Sequence, residues 1–218
     1  MIIQLTLLVL AAYVIGATPF GFLMGKAKGL DIRNHGSGNI GATNVLRIVG
    51  KKEGIFVFVL DVLKGLVPVV VGRGIAAQIL ADQSTQWLSV VSVLIALATI
   101  LGHNHTFWLG FKGGKGVATT GGALVALMPW EILAAVVVWA LVFSAKRYVS
   151  LASICAAVTI PIAALAHGAV GGHYDLPLIL LAIIVAVLGV WRHRLNIARL
   201  RDGTESRMGK KNKEEKNS

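Results

Sequence analysis

Residues 2–24 read Ile-Ile-Gln-Leu-Thr-Leu-Leu-Val-Leu-Ala-Ala-Tyr-Val-Ile-Gly-Ala-Thr-Pro-Phe-Gly-Phe-Leu-Met, with no charged side chain anywhere in the run. A hydrocarbon core about 30 Å thick takes roughly 20 helical residues to cross, and this stretch is long enough. No Lys or Arg precedes Lys26, so the basic head of a cleaved export signal is missing and the run reads as a retained first span.

Outward from it the same character recurs at Ile55–Gly72, Trp87–Leu101, Val117–Met128, Ile132–Phe143, Leu151–Ala166 and Leu176–Trp191, which makes seven segments. With 56% hydrophobic and 14% charged residues and a mean hydropathy of +0.75, the chain has too little polar material to coat a soluble domain of its size. The expected fold is an all-α integral membrane protein, a bundle of seven transmembrane helices. Its fourth and fifth helices, on either side of Pro129, are short for a crossing.

The formal net charge of +11 raises the possibility of nucleic acid, but a DNA-binding surface belongs on a fold of ordinary hydropathy. The charge is better read as topology. With the N-terminus outside and the C-terminus cytoplasmic, every Lys and Arg except Lys64 and Arg73 falls on the inner side. Asp61 and Lys64, three apart inside the second segment, read as a buried pair because ionisable groups there are costly alone. Cys155, the single cysteine, sits in an apolar run and reads as core. The spacing places a single transmembrane domain over residues 1–202 and a basic, disordered tail over 203–218 with weak attraction to anionic lipid.

Three polar clusters fall on the inner side. The first runs Gly36-Ser-Gly-Asn-Ile-Gly-Ala-Thr-Asn-Val-Leu-Arg47. Its glycines let backbone N–H groups approach a ligand, and Ser37, Asn39, Thr43, Asn44 and Arg47 add donors and charge. This suits a phosphate. Gly36, Gly38 and Gly41 match the dinucleotide G-x-G-x-x-G pattern, but that loop needs a preceding strand, and here a membrane span precedes it.

The second cluster is Phe111-Lys-Gly-Gly-Lys-Gly-Val-Ala-Thr119, a basic glycine turn leading into a helix. Such a turn favours an anion. Lys115 is followed by Gly116 and not by Ser or Thr, so this is no ATP loop. The third cluster, Arg192-His-Arg-Leu-Asn-Ile-Ala-Arg199, places His193 and Asn196 on one helix face, while its arginines read as stop-transfer charge. His103 and His105 lack partners at metal-ligand spacing. His167 and His173 fall in an outer loop and read as solvated. Ser153 reads either as a helix back-bond or as an inner polar residue.

Together Ser37–Asn44 with Arg47, Gly113–Thr119 and His193–Ile197 resemble the three signature motifs of the bacterial acyl-phosphate:glycerol-3-phosphate acyltransferases, and the resemblance covers nearly all of the chain except the tail. His105 and Thr106 stand where a nearby proline is expected. The resemblance implies an enzyme of phospholipid synthesis in the bacterial inner membrane. It would pass a fatty acyl group from acyl phosphate to glycerol 3-phosphate, giving 1-acylglycerol 3-phosphate and phosphate. It would need no cofactor, metal or nucleic acid, and its work would be linked to an enzyme that makes acyl phosphate.

Carried over by position, Ser37, Arg47, Lys115 and Asn196 would bind glycerol 3-phosphate. Gly38, Asn39, Gly41, Asn44, Gly113 and Gly114 would bind acyl phosphate, and Thr43, Ser153 and His193 would be catalytic. No histidine has Asp five residues later, so the dyad of the thioester-dependent acyltransferases is absent and direct transfer without an acyl-enzyme is expected. A transporter of phosphate-bearing metabolites is the competing class. It would show paired inverted halves, and the chain has no internal repeat.

Overall fold

The computed structural model describes residues 1–171 and 175–209. Helix α1 spans Ile2–Gly16 and α2 Phe20–Ala27. They part at Thr18-Pro19 because proline lacks an N–H and forces its predecessor out of the helical region. Then follow α3 (Ala42–Ile48), α4 (Lys51–Ile79), α5 (Thr85–Asn104), α6 (Val117–Val125), α7 (Pro129–Lys146), α8 (Val149–Gly171), α9 (Leu176–Arg192) and α10 (Arg194–Arg201). Among the described residues there is no strand, which removes the dinucleotide reading of Gly36–Gly41.

Each apolar segment is helical, the first divided between α1 and α2. Five helical stretches are long and apolar enough to cross a bilayer, and α9 joins them if its 54° bend into α10 is taken as one broken span. Helix α7 is longer than its apolar run because Glu131 at its start and Lys146 at its end are helical too; its 18 residues make it a full candidate span. Helix α6 is the short one. Its nine residues rise about 14 Å, well under the hydrocarbon thickness.

A core of small and branched side chains, including Val69, Ile95, Leu124 and Leu181 at 0% exposure, runs through the bundle. Large apolar side chains such as Phe56, Phe58, Leu141, Ile162 and Val187 point outward, which in water would be an aggregation surface and in a membrane is the lipid face. Helices α4 and α6 pack backbone to backbone: a side chain on Gly65 would strike Thr119 O, and one on Gly122 would strike Val62 O. Small residues permit this approach where lipid removes the hydrophobic drive between helices. Cys155 is free and half-buried in α8.

The buried pair is present: Lys64 Nζ lies 2.8 Å from Asp61 Oδ1 and donates to Thr18 O at 2.7 Å. The Thr18 carbonyl, at the break between α1 and α2, thereby gains a charged donor. Thr106, fully buried, donates to Ala17 O, and Tyr13 Oη donates to His105 O at 2.7 Å. The loop after α5 is thus held to the α1–α2 break without a proline.

Candidate active site

Three stretches far apart in sequence meet at one end of the bundle. Ser37, Gly38 and Asn39 form one side of a cavity of about 190 Å³, Lys115 another, and Arg192, Arg194, Leu195, Asn196 and Arg199 close it.

The first loop is held by amides. Asn44, 2% exposed, donates to the carbonyls of Asn39 (2.9 Å), His35 (3.0 Å) and Ile32 (3.3 Å), and its Oδ1 accepts from Ser37 N at 3.0 Å. Asn39 Oδ1 accepts from Gly41 N at 2.8 Å, and Gly38 N donates to His35 O at 3.0 Å. Gly36 and Gly38 have φ of +58° and +67°, which only glycine adopts readily. The donors of Gly38, Gly41 and Asn44, expected on acyl phosphate, are therefore committed inside the loop. Asn44 is the buried one among them, and a buried amide must be paired somewhere; here the loop's own carbonyls do it. Ser37 enters these bonds through its backbone N–H, and the residue lines the cavity.

The second loop repeats the lesson. Gly113 N donates to Asn104 O at 3.1 Å and Gly114 N to His103 O at 3.2 Å, so neither expected phosphate donor is free. These two residues are glycine because a Cβ would run into His103 and Asn104. Arg192 holds the loop from the other side, donating through Nη2 to Asn104 O (2.9 Å) and Gly113 O (3.1 Å) and through Nε to Gly114 O (3.2 Å). A residue read as stop-transfer charge is a clamp on backbone carbonyls. Lys112 is exposed and outside the cavity lining; Lys115 is the loop's contribution to it.

Lys115 Nζ donates to Asn196 Oδ1. Asn196 Nδ2 in turn donates to Glu205 Oε1 at 2.7 Å, which also accepts from Ser150 Oγ at 2.6 Å, while Arg199 Nε donates to Glu205 Oε2 at 2.8 Å. Arg47 lies on the same side, its Nη2 3.4 Å from Ser206 O. Residues 203–209, read as the start of a disordered tail, pack back onto the site; 210–218 lie outside the described residues, as does His173.

His193 is 3% exposed, and its Nδ1 is 2.8 Å from Gly189 O. A carbonyl can only accept, so Nδ1 carries the hydrogen and Nε2 keeps its lone pair. Thr43 is partly buried in the first turn of α3 and outside the cavity lining. Ser153 does not join the site: its hydroxyl donates to Val149 O at 2.8 Å and accepts from Trp139 Nε1 at 3.2 Å. Ser150, one turn earlier, is the serine that reaches inward. Neither Ser150 nor Glu205 was visible as a site residue in the sequence, for their partners are set by how α8, α10 and the segment after it pack.

Burial pushes the Lys115 ammonium down to about 8, Glu205 acting the other way and Arg199, Arg47 and Arg192 adding to the fall. Burial likewise pushes the His193 imidazole down to about 4, leaving it neutral at neutral pH. Burial alone would raise the Glu205 carboxyl, but the hydrogen bonds from Ser150, Arg199 and Asn196 outweigh it and hold it below the usual range. The site is a cationic cup with room for a small anion.

A polytopic helical bundle with a cationic cup at one end defines a class of membrane proteins that handle small anionic substrates. The family model described as glycerol-3-phosphate acyltransferase matches residues 6–203, and the chain belongs to that family. A glycerol-3-phosphate acyltransferase of Desulforamulus reducens is 44% identical over 96% of this chain and 98% of its own length. One from Aquifex aeolicus is 43% identical over 92% and 97%. Among solved structures, the glycerol 3-phosphate form of PlsY (YgiH), an integral membrane glycerol 3-phosphate acyltransferase, is similar with a TM-score of 0.83, 42% identity and coverage of 94% of this chain and 96% of that one. A lysophosphatidic acid form of PlsY gives 0.80, 41%, 94% and 95%. The protein is a multi-pass membrane acyltransferase acting on glycerol 3-phosphate.

Proposed function

We propose that the cavity between Ser37, Lys115 and Asn196 binds glycerol 3-phosphate and that the acyl group arrives on acyl phosphate, moving in one step with no acyl-enzyme. The glycerol hydroxyl oxygen attacks the acyl carbonyl, the bond from that carbon to the phosphate oxygen breaks, and phosphate leaves with the electron pair. Its mixed anhydride is already activated, so the protein supplies positioning, worth roughly 7–11 kcal/mol in favourable systems, and donors for the developing oxyanion.

The observation that carries this reading is the pairing of Lys115 with a neutral amide, which leaves its charge for a ligand. The hydroxyl proton passes to a phosphate oxygen of the substrates. In support, Asp31 is taken by Arg33 (2.6 Å) and Glu53 by Lys28 (2.9 Å), and Glu205 is engaged three times over. His193, neutral with Nε2 available, is the rival base. The exposed Leu195 on the cavity rim offers the acyl chain an apolar exit toward lipid.

The inner clustering of charge supports seven crossings in the bacterial inner membrane, α6 being a short one, with the N-terminus outside, the site cytoplasmic, and acyl phosphate coming from a partner enzyme. Purified protein given acyl phosphate and glycerol 3-phosphate should release 1-acylglycerol 3-phosphate and free phosphate, with no acyl adduct by intact mass. Turnover with acyl-CoA alone would overturn the donor. Loss of turnover in His193→Gln with unchanged glycerol 3-phosphate affinity would move the base to His193.

A further inference from the structure

Glu205 lies two residues past the end of the family match, in a segment whose sequence has no apolar periodicity, yet its side chain is only 6% exposed. Five consecutive residues, 204–208, tie this segment down. Thr204 N and Glu205 N both donate to Arg199 O (2.8 and 3.1 Å), Ser206 O faces Arg47, and Arg207 Nε donates to Tyr148 Oη at 2.8 Å. Met208 N then donates to Arg147 O at 2.9 Å. The segment straps α10 to the α7–α8 turn, and the side chain it sends to Asn196 is a carboxylate.

What that carboxylate does follows from the amide beside it. Asn196 has one acceptor and one donor end. Its oxygen faces the Lys115 ammonium and its nitrogen faces Glu205. Turning the amide over would set NH₂ against an ammonium and oxygen against a carboxylate, so Glu205 and Lys115 together allow one orientation. Glu205 also holds Ser150 and Arg199, and such charge-assisted bonds are the strong ones. The carboxylate does not fill the cavity: Asn196, Lys115 and Arg199 line it and Glu205 does not. It stands behind the wall that they form.

We propose that Glu205 is a positioning residue for glycerol 3-phosphate: through Asn196 it sets the Lys115 ammonium in place, and through Ser150 and Arg199 it closes the cationic wall on the strap. This rests on the assignment of the cavity to glycerol 3-phosphate. The charges facing Lys115 are Glu205, Arg199, Arg47 and Arg192, with the neutral His193 beside them. Glu205 is the one negative group among these, so its removal lowers the affinity of Lys115 for its proton.

The test is steady-state kinetics of full-length Glu205→Gln and Glu205→Asp in detergent, with Lys115→Met and Arg47→Ala alongside. Glu205→Gln keeps the shape but not the charge. It should raise KM for glycerol 3-phosphate on the order of tenfold or more, with a smaller change in kcat, and move the alkaline limb of kcat/KM to lower pH by about half a unit or more. Glu205→Asp, which keeps the charge, should recover part of both. A lower KM in Glu205→Gln would mean the carboxylate competes with substrate and would overturn the proposal, as would an unmoved alkaline limb. If Lys115→Met and Arg47→Ala leave KM unchanged, the cavity assignment fails; if they raise it and Glu205→Gln does not, only the role of Glu205 fails.

Discussion

Two lysines in this protein are largely withdrawn from water and are treated in opposite ways. Lys64, inside α4, has a full counter-charge in Asp61 and a backbone carbonyl from Thr18, and its side chain is 3% exposed. Lys115, at the end of the bundle, is met by the neutral oxygen of Asn196, while the nearest carboxylate, Glu205, is spent on that amide and on Ser150 and Arg199. One charge is neutralised to hold the fold. The other faces a neutral amide, which under the proposed function leaves its charge for an anionic substrate, and the difference lies in what stands opposite the ammonium.

The largest effect should come from breaking the structural pair. Lys64→Met leaves Asp61 buried and unpaired and should cost about 3–5 kcal/mol, read as lost thermal stability in detergent; adding Asp61→Asn should restore much of it. If Lys64→Met unfolds normally and loses only activity, the two lysines are not different in kind. Lys115→Met should do the reverse, leaving the melting temperature in place while kcat/KM for glycerol 3-phosphate falls about 100-fold.

A pH profile sharpens the contrast. The useful form of Lys115 is protonated, and with its value pushed down to about 8 its titration should cost the rate nothing well below that pH and lower it as pH rises through it. An ordinary lysine would hold the rate to about 10. His193, already neutral above about 4, should give no limb between 5 and 7, where the titration of a substrate phosphate near about 6 would appear instead. The smallest effects separate the two serines of α8. Ser150→Ala loses a bond to a carboxylate and should raise KM several-fold, about 1 kcal/mol. Ser153→Ala should stay within about 0.5 kcal/mol in stability and leave kinetics unchanged. Equal losses from both would return Ser153 to the site.

The polar clusters were legible because lipid tolerates few polar residues, so Gly36–Arg47, Gly113–Thr119 and Arg192–Arg199 stood out from their surroundings. Which of their atoms face a ligand was not legible. Asn44 and Ser37 look alike in sequence as short donors, yet Asn44 ties three carbonyls of its own loop while Ser37 lines the cavity. Arg192 read as topology and turned out to clamp the second loop.

By itself the sequence determined that this chain is a bundle of membrane helices with three polar, basic stretches to one side, two of them glycine-rich, because apolar length and charge placement are local properties that the bilayer enforces. Only the tertiary structure decided that Glu205, 55 residues beyond Ser150 and 9 beyond Asn196, stands behind Lys115. A hydrogen bond between distant residues depends on how helices pack and how a chain end folds back, and no residue pattern along the chain records that.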